Sequence, residues 1–278
     1  MWWYLLVILP LAVVLWLLYE WMEHSMVQYN ATTVECQKMP QDKELKICLI
    51  SDLHNNRKNL SRLMERISLF SPDMILLAGD LVNKHKPVNK EADKFLAAVA
   101  NLSVPVYYSA GNHELSLIEK FPESWQTYLK KLPEGVCYLD NESSLLPTNK
   151  KICITGLSLP RNFYHKGKLY NKPEELPEID IPGNEFHVLL AHHPEYASMY
   201  TKYEADFIVS GHLHGGLLRL PFIGGVVSPR LRLPECDAGL MELSDGSKLF
   251  VSRGLGSHTI PLRFFNPVEV NFLTLKNK

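Results

Sequence analysis

Three observations predict an α/β fold. Short apolar runs that read as buried strands alternate with segments of helical spacing. Five motifs rich in Asp, Asn and His each follow one of those runs: Asp52-Leu53-His54, Gly79-Asp80, Gly111-Asn112-His113-Glu114, Ala191-His192-His193-Pro194 and Gly211-His212-Leu213-His214. The composition, 46% hydrophobic and 21% charged over 278 residues, is that of a folded globular chain. No Pro/Ser-rich linker, low-complexity tract or repeat divides it, which favours one large domain over two small ones.

At the amino end, Trp2 to Tyr19 gives 18 residues without charge and with one interior proline, Pro10. As a helix this stretch spans about 27 Å, close to the thickness of bilayer hydrocarbon. Trp2, Trp3 and Tyr4 stand at one end and Trp16, Tyr19 and Trp21 at the other, as in two interfacial aromatic belts. The expectation is a transmembrane anchor over 1–20, a tether over 21–44 and the main domain over 45–278, giving a single-pass protein of the cell membrane. A cleaved signal peptide fits less well, because no Lys or Arg precedes the run and no small-x-small site follows it. A buried core helix conflicts with hydrophobicity on all sides. The first basic residue after the span is Lys38, so charge bias leaves the side of the membrane undecided.

Leu45–Ser51 is a strand candidate that ends in the first motif. Leu60, Leu63, Met64, Ile67 and Phe70 give helical spacing over Arg57–Phe70, and Ser71-Pro72-Asp73 breaks it. Met74–Ala78 is wholly apolar, as in a strand covered on both faces, and ends in Gly79-Asp80. A helix over Glu91–Leu102 and a strand over Val104–Ser109 lead to Gly111-Asn112-His113. The order strand, motif, helix is expected twice more, from Phe186–Leu190 and Asp206–Ser210. Gly239–Leu243 and Lys248–Ser252 flank the hairpin signal Ser244-Asp245-Gly246, and Val268–Leu275 is a further strand candidate. The C-terminal third is therefore expected as antiparallel β-structure packed on the αβ half.

The formal charge is −1 with no basic stripe, which argues against non-specific nucleic-acid binding. Cys36, Cys48, Cys137, Cys153 and Cys236 are odd in number and lack CxxC spacing, so they form neither a disulfide framework nor a zinc ribbon.

Carboxylates and imidazoles together suit a borderline metal such as Mn, Fe or Zn. A spacing of two puts Asp52 and His54 on one side of an extended segment, and His212 and His214 likewise. Six of the 11 histidines lie within the motifs. Sites on α/β sheets form beyond the carboxyl ends of the strands, so residues far apart in sequence can meet there. No P-loop or nucleophile elbow is present.

The order D-x-H, G-D, G-N-H-E, H-x-P and G-H-x-H resembles that of the calcineurin-like metallophosphoesterases, from about Leu45 to Leu275. Gly215-Gly216 through Gly224, Asp237-Ala238-Gly239 and Ser252 through Gly256 are similar to the membrane-anchored or exported bacterial branch. The resemblance implies a four-layer sandwich of two mixed β-sheets flanked by helices, with two divalent metals. It implies Asp52, His54, Asp80 and His214 on one metal, and Asp80, Asn112, His192 and His212 on the other, Asp80 bridging. His113 is implied as the acid that steadies charge at the phosphoryl oxygen or leaving group. His193 is then expected to face elsewhere, as a supporting or surface residue.

The implied activity is phosphoester hydrolysis by a hydroxide that bridges the metals. Asn83 departs from the family where many members carry an acid, and Cys236 stands where an aromatic is expected. Leu217–Leu233, with Arg219, Arg230 and Arg232, and the basic-aromatic Arg161–Lys172 are candidates for lining the entrance. With the anchor they suggest a lipid or lipid-linked phosphoester met at a membrane, though a small-molecule phosphoester fits as well. The oligomeric state is not encoded in any motif. Two alternatives stand beside this reading: a catalytically silent module that grips a phosphorylated partner, and a nuclease on the same core.

Overall fold

The computed structural model of the chain describes residues 3–41, 43–164, 175–183, 185–216, 218–220, 224–227, 236–256, 263 and 265–278. Along the chain come α1 (Trp3–Ser25), β1 (Gln28–Glu35), β2 (Glu44–Ile50), α2 (Leu60–Phe70), β3 (Met74–Ala78), α3 (Lys90–Ala100) and β4 (Val106–Ser109). Then follow α4 (Asn112–Lys120), α5 (Pro122–Lys130), β5 (Val136–Leu139), β6 (Glu142–Leu146), β7 (Asn149–Leu157), β8 (Phe186–Ala191) and β9 (Phe207–Ser210). The last strands are β10 (Leu218–Leu220), β11 (Gly224–Val227), β12 (Gly239–Glu242), β13 (Lys248–Val251) and β14 (Glu269–Lys276).

Strand alternation builds the layers. Successive side chains of a strand point to opposite faces. In β2, Ile47 and Leu49 enter a core shared with Ile154 of β7, Val188 and Leu190 of β8 and Val209 of β9. Cys48 and Ile50 point the other way, onto Leu63 and Ile67 of α2 and Phe95 and Leu96 of α3. A third cluster covers the far face of the second sheet with Tyr196, Tyr200 and Tyr203 from a 3-10 segment, Pro194–Tyr203. The first sheet runs β1-β14-β2-β3-β4-β5 and the second β12-β13-β9-β8-β7-β6. In the first, β2 to β5 are parallel and β14 is antiparallel to β2. In the second, β7, β8, β9 and β13 are parallel, with β6 and β12 antiparallel at the edges. This is the expected pair of mixed sheets with helices.

Local chemistry explains the boundaries. The helix expected from Arg57 begins at Leu60, because Asn59 caps it: its side-chain oxygen accepts from the Arg62 N–H at 3.2 Å. It ends where Ser71 turns left-handed at φ 52° before Pro72.

Three expectations are corrected. First, the transmembrane anchor and the single-pass membrane location do not hold: among the described residues no helix is long and apolar enough to cross a membrane. The apolar run of α1 carries straight on into charged residues. The helix continues through Glu20, Glu23 and His24. Second, the segment expected as a tether contains β1, which pairs in parallel along the whole of β14. Val34, Cys36 and Met39 enter the core, and the Tyr29 ring stacks on Phe272 at 6.0 Å. Third, the C-terminal third is not a separate antiparallel layer. Its β13 extends the second sheet in parallel with β9, and β14 inserts between β1 and β2. The hairpin at Ser244-Asp245-Gly246 does form, joining β12 to β13.

Candidate metal centre

All five motifs sit at carboxyl ends of strands: Asp52 follows β2, Asp80 follows β3, Asn112 follows β4, His192 directly follows β8 and His212 follows β9. The two sheets pack with these ends on one edge, so the motifs meet. A cavity of about 900 Å³ opens at the opposite edge against the starts of β4 and β5, away from this chemistry.

The backbone turns sharply at the site. Asp52, His54, Asp80, His212 and His214 all have left-handed φ, of 53°, 52°, 54°, 69° and 53°. Asp and His tolerate this region better than most residues, and such strain gathers at functional sites. The extended geometry expected for Asp52/His54 and His212/His214 is therefore corrected. Each pair converges through a left-handed turn and not through strand alternation. At Gly79, φ is 81°, and a Cβ would stand 2.6 Å from His192 Nδ1 and 2.7 Å from the Gly111 nitrogen. Only glycine allows that approach.

Three overlapping groups have ligand atoms close enough to hold a metal: Asp52, His54 and His214; His54, Asp80 and His113; and Asp80, His192 and His212. His54 Nε2 and His214 Nε2 face each other at 3.1 Å. His214 Nε2 is 3.4 Å from Asp52 Oδ1, and His192 Nε2 is 3.5 Å from Asp80 Oδ2. His113 Nε2 is 3.9 Å from Asp80 Oδ2. His192 Nδ1 lies 2.6 Å from the Ala78 carbonyl and donates to it, so Nε2 is the nitrogen that offers a lone pair once its proton is displaced. That Nε2 and Asn112 Oδ1 are buried without a hydrogen-bond partner among the described residues. Buried polar atoms are rarely left so, and both are what a cation would take up. The donor set fits divalent metals on this observation.

The electrostatics agree. Burial, with the neighbouring Asp80 charge, pushes the Asp52 carboxyl up to about 7. Burial also works against the charge on Asp80, yet the cationic forms of His113, His192 and His54 hold it well below the usual carboxylate range. His192 is lowered by burial but raised further by Asp80 and Asp52, to about 10. Protons thus balance the buried carboxylates in the metal-free chain, and metals displace protons from such ligands.

Further side chains hold the site together. Glu114 is fully buried and accepts from the N–H groups of Asp80, Leu81 and Gly111 at 2.8 Å, from Val82 at 3.2 Å and from the Tyr108 hydroxyl at 2.7 Å. It locks the Asp80 turn onto the first turn of α4. Its place three residues after Gly111 is a helix-capping signal that could have found it. Arg263 Nη2 lies 3.0 Å from His214 Nδ1, and Asn266 donates to the His214 carbonyl at 2.6 Å. No sequence spacing announces either, since they reach back 49 and 52 residues. Tyr164 puts its ring 5.3 Å from those of His193 and His212, and its buried hydroxyl has no hydrogen-bond partner among the described residues.

His193 is fully buried, with its ring 4.2 Å from His212, so it supports the site and is not on the surface. Asn83 accepts from the His85 N–H and shapes its own turn. Cys236 packs, half-buried, against the third cluster. Arg219 is held by Asp237 and donates to the Gly215 carbonyl at 3.1 Å. Arg230, Arg232 and the stretch from His165 to Lys172 lie outside the described residues.

Two mixed sheets with an Asp, His and Asn ligand set at their common carboxyl edge define a metal-dependent phosphoesterase. The family model of calcineurin-like phosphoesterases matches residues 45–216, and the chain belongs to that family, whose members use two divalent metals. An uncharacterised metallophosphoesterase of Aquifex aeolicus is 28% identical over 272 residues, covering 94% of this chain and 96% of that one. A UDP-2,3-diacylglucosamine pyrophosphatase of Chlamydia muridarum is 23% identical over 277 residues, covering 81% and 82%. The fold is also similar to a dimetal phosphatase from Danio rerio, with a TM-score of 0.40, 12% identity, and coverage of 76% and 88%.

Proposed function

We propose that the chain is a two-metal phosphohydrolase acting on a lipid-like or lipid-linked phosphoester. The observation that carries the hydrolase reading is the convergence of the motif side chains at one edge, with Asn112 Oδ1 and His192 Nε2 buried and without a hydrogen-bond partner among the described residues. In this reading Asp52, His54, Asp80 and His214 hold one cation. Asp80, Asn112, His192 and His212 hold the other. The cations, manganese being the first to test, supply Lewis acidity and lower the pKa of a bound water from ~16 toward ~7.

The chain's own residues do the rest. Two carboxylates against two divalent cations leave the site net positive, which attracts a phosphate anion. His113 is fixed by its N–H to Asp80 Oδ1 at 2.7 Å, with its Nδ1 3.2 Å from the Val82 carbonyl. From there it serves as the acid for the phosphoryl oxygen or leaving group.

Likeness to the diacylglucosamine pyrophosphatase supports the lipid-linked substrate. So does α1, on which Leu6, Val7, Leu9, Leu11, Val14 and Leu18 are exposed. The test is the Mn-loaded full chain on a panel of phospholipids, acylated and deacylated nucleotide diphosphate-sugars, cyclic nucleotides and single-stranded DNA. Preferred hydrolysis of the acylated substrates is expected. Equal turnover of soluble and lipid phosphoesters overturns the lipid part, and digestion of DNA in place of either overturns the substrate class.

A further inference from the structure

A second cavity, about 580 Å³, is lined by Val27, Tyr29, Arg57, Lys58, Asn59, Leu60 and Arg62. Among the described residues that line it, three are cations and none is acidic. That volume falls within the range of small-ligand pockets, roughly 300–1,000 Å³. One wall is apolar, from Val27, Leu60 and the Tyr29 ring, over which the Arg66 guanidinium stands at 5.7 Å. The Glu65 carboxylate, further along α2, acts on the Tyr29 hydroxyl but is not among the residues that line the cavity.

The register places this cavity on the edge that carries the metal centre. Asn30 pairs with Asn271, and Asn271 with Leu49, so the start of β1 lies level with the carboxyl end of β2. Arg57 and Lys58 follow His54 by only three and four residues, and the first turn of α2 adds its positive end to the same spot. Lys58 also lies near Arg263, which touches His214. Burial and that like charge lower the Lys58 ammonium to about 8.

We propose that this pocket is a second anion site, separate from the metals, that holds a phosphate group. It rests on the phosphoesterase reading only for the suggestion that the phosphate belongs to the same ligand as the cleaved bond. The pocket itself stands on its own lining. Two sources share the chemistry: a further phosphate of a soluble ligand, or the headgroup of an anionic lipid.

The test is titration of the full chain, stripped of metal by chelation, with inorganic phosphate in a calorimeter. Saturable binding is expected, falling with added salt and weakened at least tenfold in Arg57→Ala/Arg62→Ala. Both arginines are exposed, so the variant folds, and Arg57→Lys/Arg62→Lys recovers part of the binding. Vesicles of phosphatidylglycerol, but not phosphatidylcholine, compete with phosphate if the source is a lipid headgroup; pyrophosphate competes and vesicles do not if it is soluble. Absence of saturable binding, or binding that the double alanine variant leaves unchanged, overturns the site. Phosphate binding lost with turnover intact fails this site alone, whereas turnover absent with binding intact fails the hydrolase reading alone.

Discussion

Replacing Glu114 with Gln changes one atom for another of nearly equal size, yet the surroundings leave no room for an amide. Glu114 Oε2 accepts from Asp80 and Gly111, and Oε1 from Leu81, Val82 and the Tyr108 hydroxyl. Every neighbour donates, so whichever way the amide turns, its NH2 faces at least two donors and two accepted bonds are lost. Hydrogen bonds to a charged group are worth roughly 1.5–3 kcal/mol each, so the loss is about 3–6 kcal/mol. At about 2 °C per kcal/mol for a chain of this size, the melting temperature falls by roughly 6–12 °C. The released Asp80 turn should also weaken metal binding by roughly 10–100-fold, as for other residues that orient ligands. Thermal unfolding with and without chelator measures the first effect, and calorimetric titration with Mn the second. A Gln variant that melts within about 1 °C of the parent and binds Mn equally well refutes the claim that this carboxylate holds the site.

His113→Ala is expected to lower kcat by roughly 10²–10⁴-fold, the usual worth of a placed acid, with metal content unchanged; steady-state kinetics beside elemental analysis checks it. Gly211→Ala drives a Cβ to 2.3 Å from Asp52 Oδ2, so the carboxylate must move. Overpacking of about 1–3 kcal/mol and weaker Mn binding should both appear in melting and titration. The pH dependence of the metal-free chain follows from His192 and Asp52, whose folded pKa values are raised to about 10 and about 7. A raised pKa stabilises below the unfolded value and is lost as pH rises through the folded one, so the metal-free melting temperature should fall up to about pH 7 through Asp52 and on toward about 10 through His192. Because metals need these groups deprotonated, the stabilisation by added Mn should grow over the same range; melting curves at several pH values test both.

Much of this was legible in the chain, for definite reasons. Strands such as Met74–Ala78 are wholly apolar because both faces are covered, and that pattern is local. The motifs were legible because each one ends a strand. What escaped depended on distant partners. β5 and β6 are short and half-exposed, and β7 is buried on both faces only from Ile152 onward. β1 is polar at most positions and becomes a strand only because β14 offers it a full ladder. The left-handed turns at Asp52 and His212 come from backbone bonds between loops, such as Asp52 N–H to Gly79 and Gly211 N–H to His192, which no local spacing encodes. The apolar run of α1 was visible, but among the described residues no helix is long and apolar enough to cross a membrane. Arg263 acts on His214 through folding alone.

The most direct test of the two-metal account is a single titration. The metal-stripped full chain is given Mn in steps, and hydrolysis of an aryl phosphodiester is followed against bound metal per chain. The account predicts no turnover without metal, a rise that saturates at two bound ions, and no recovery in Asp80→Asn at any metal level. Turnover that persists in the stripped chain, or full activity in Asp80→Asn, contradicts it.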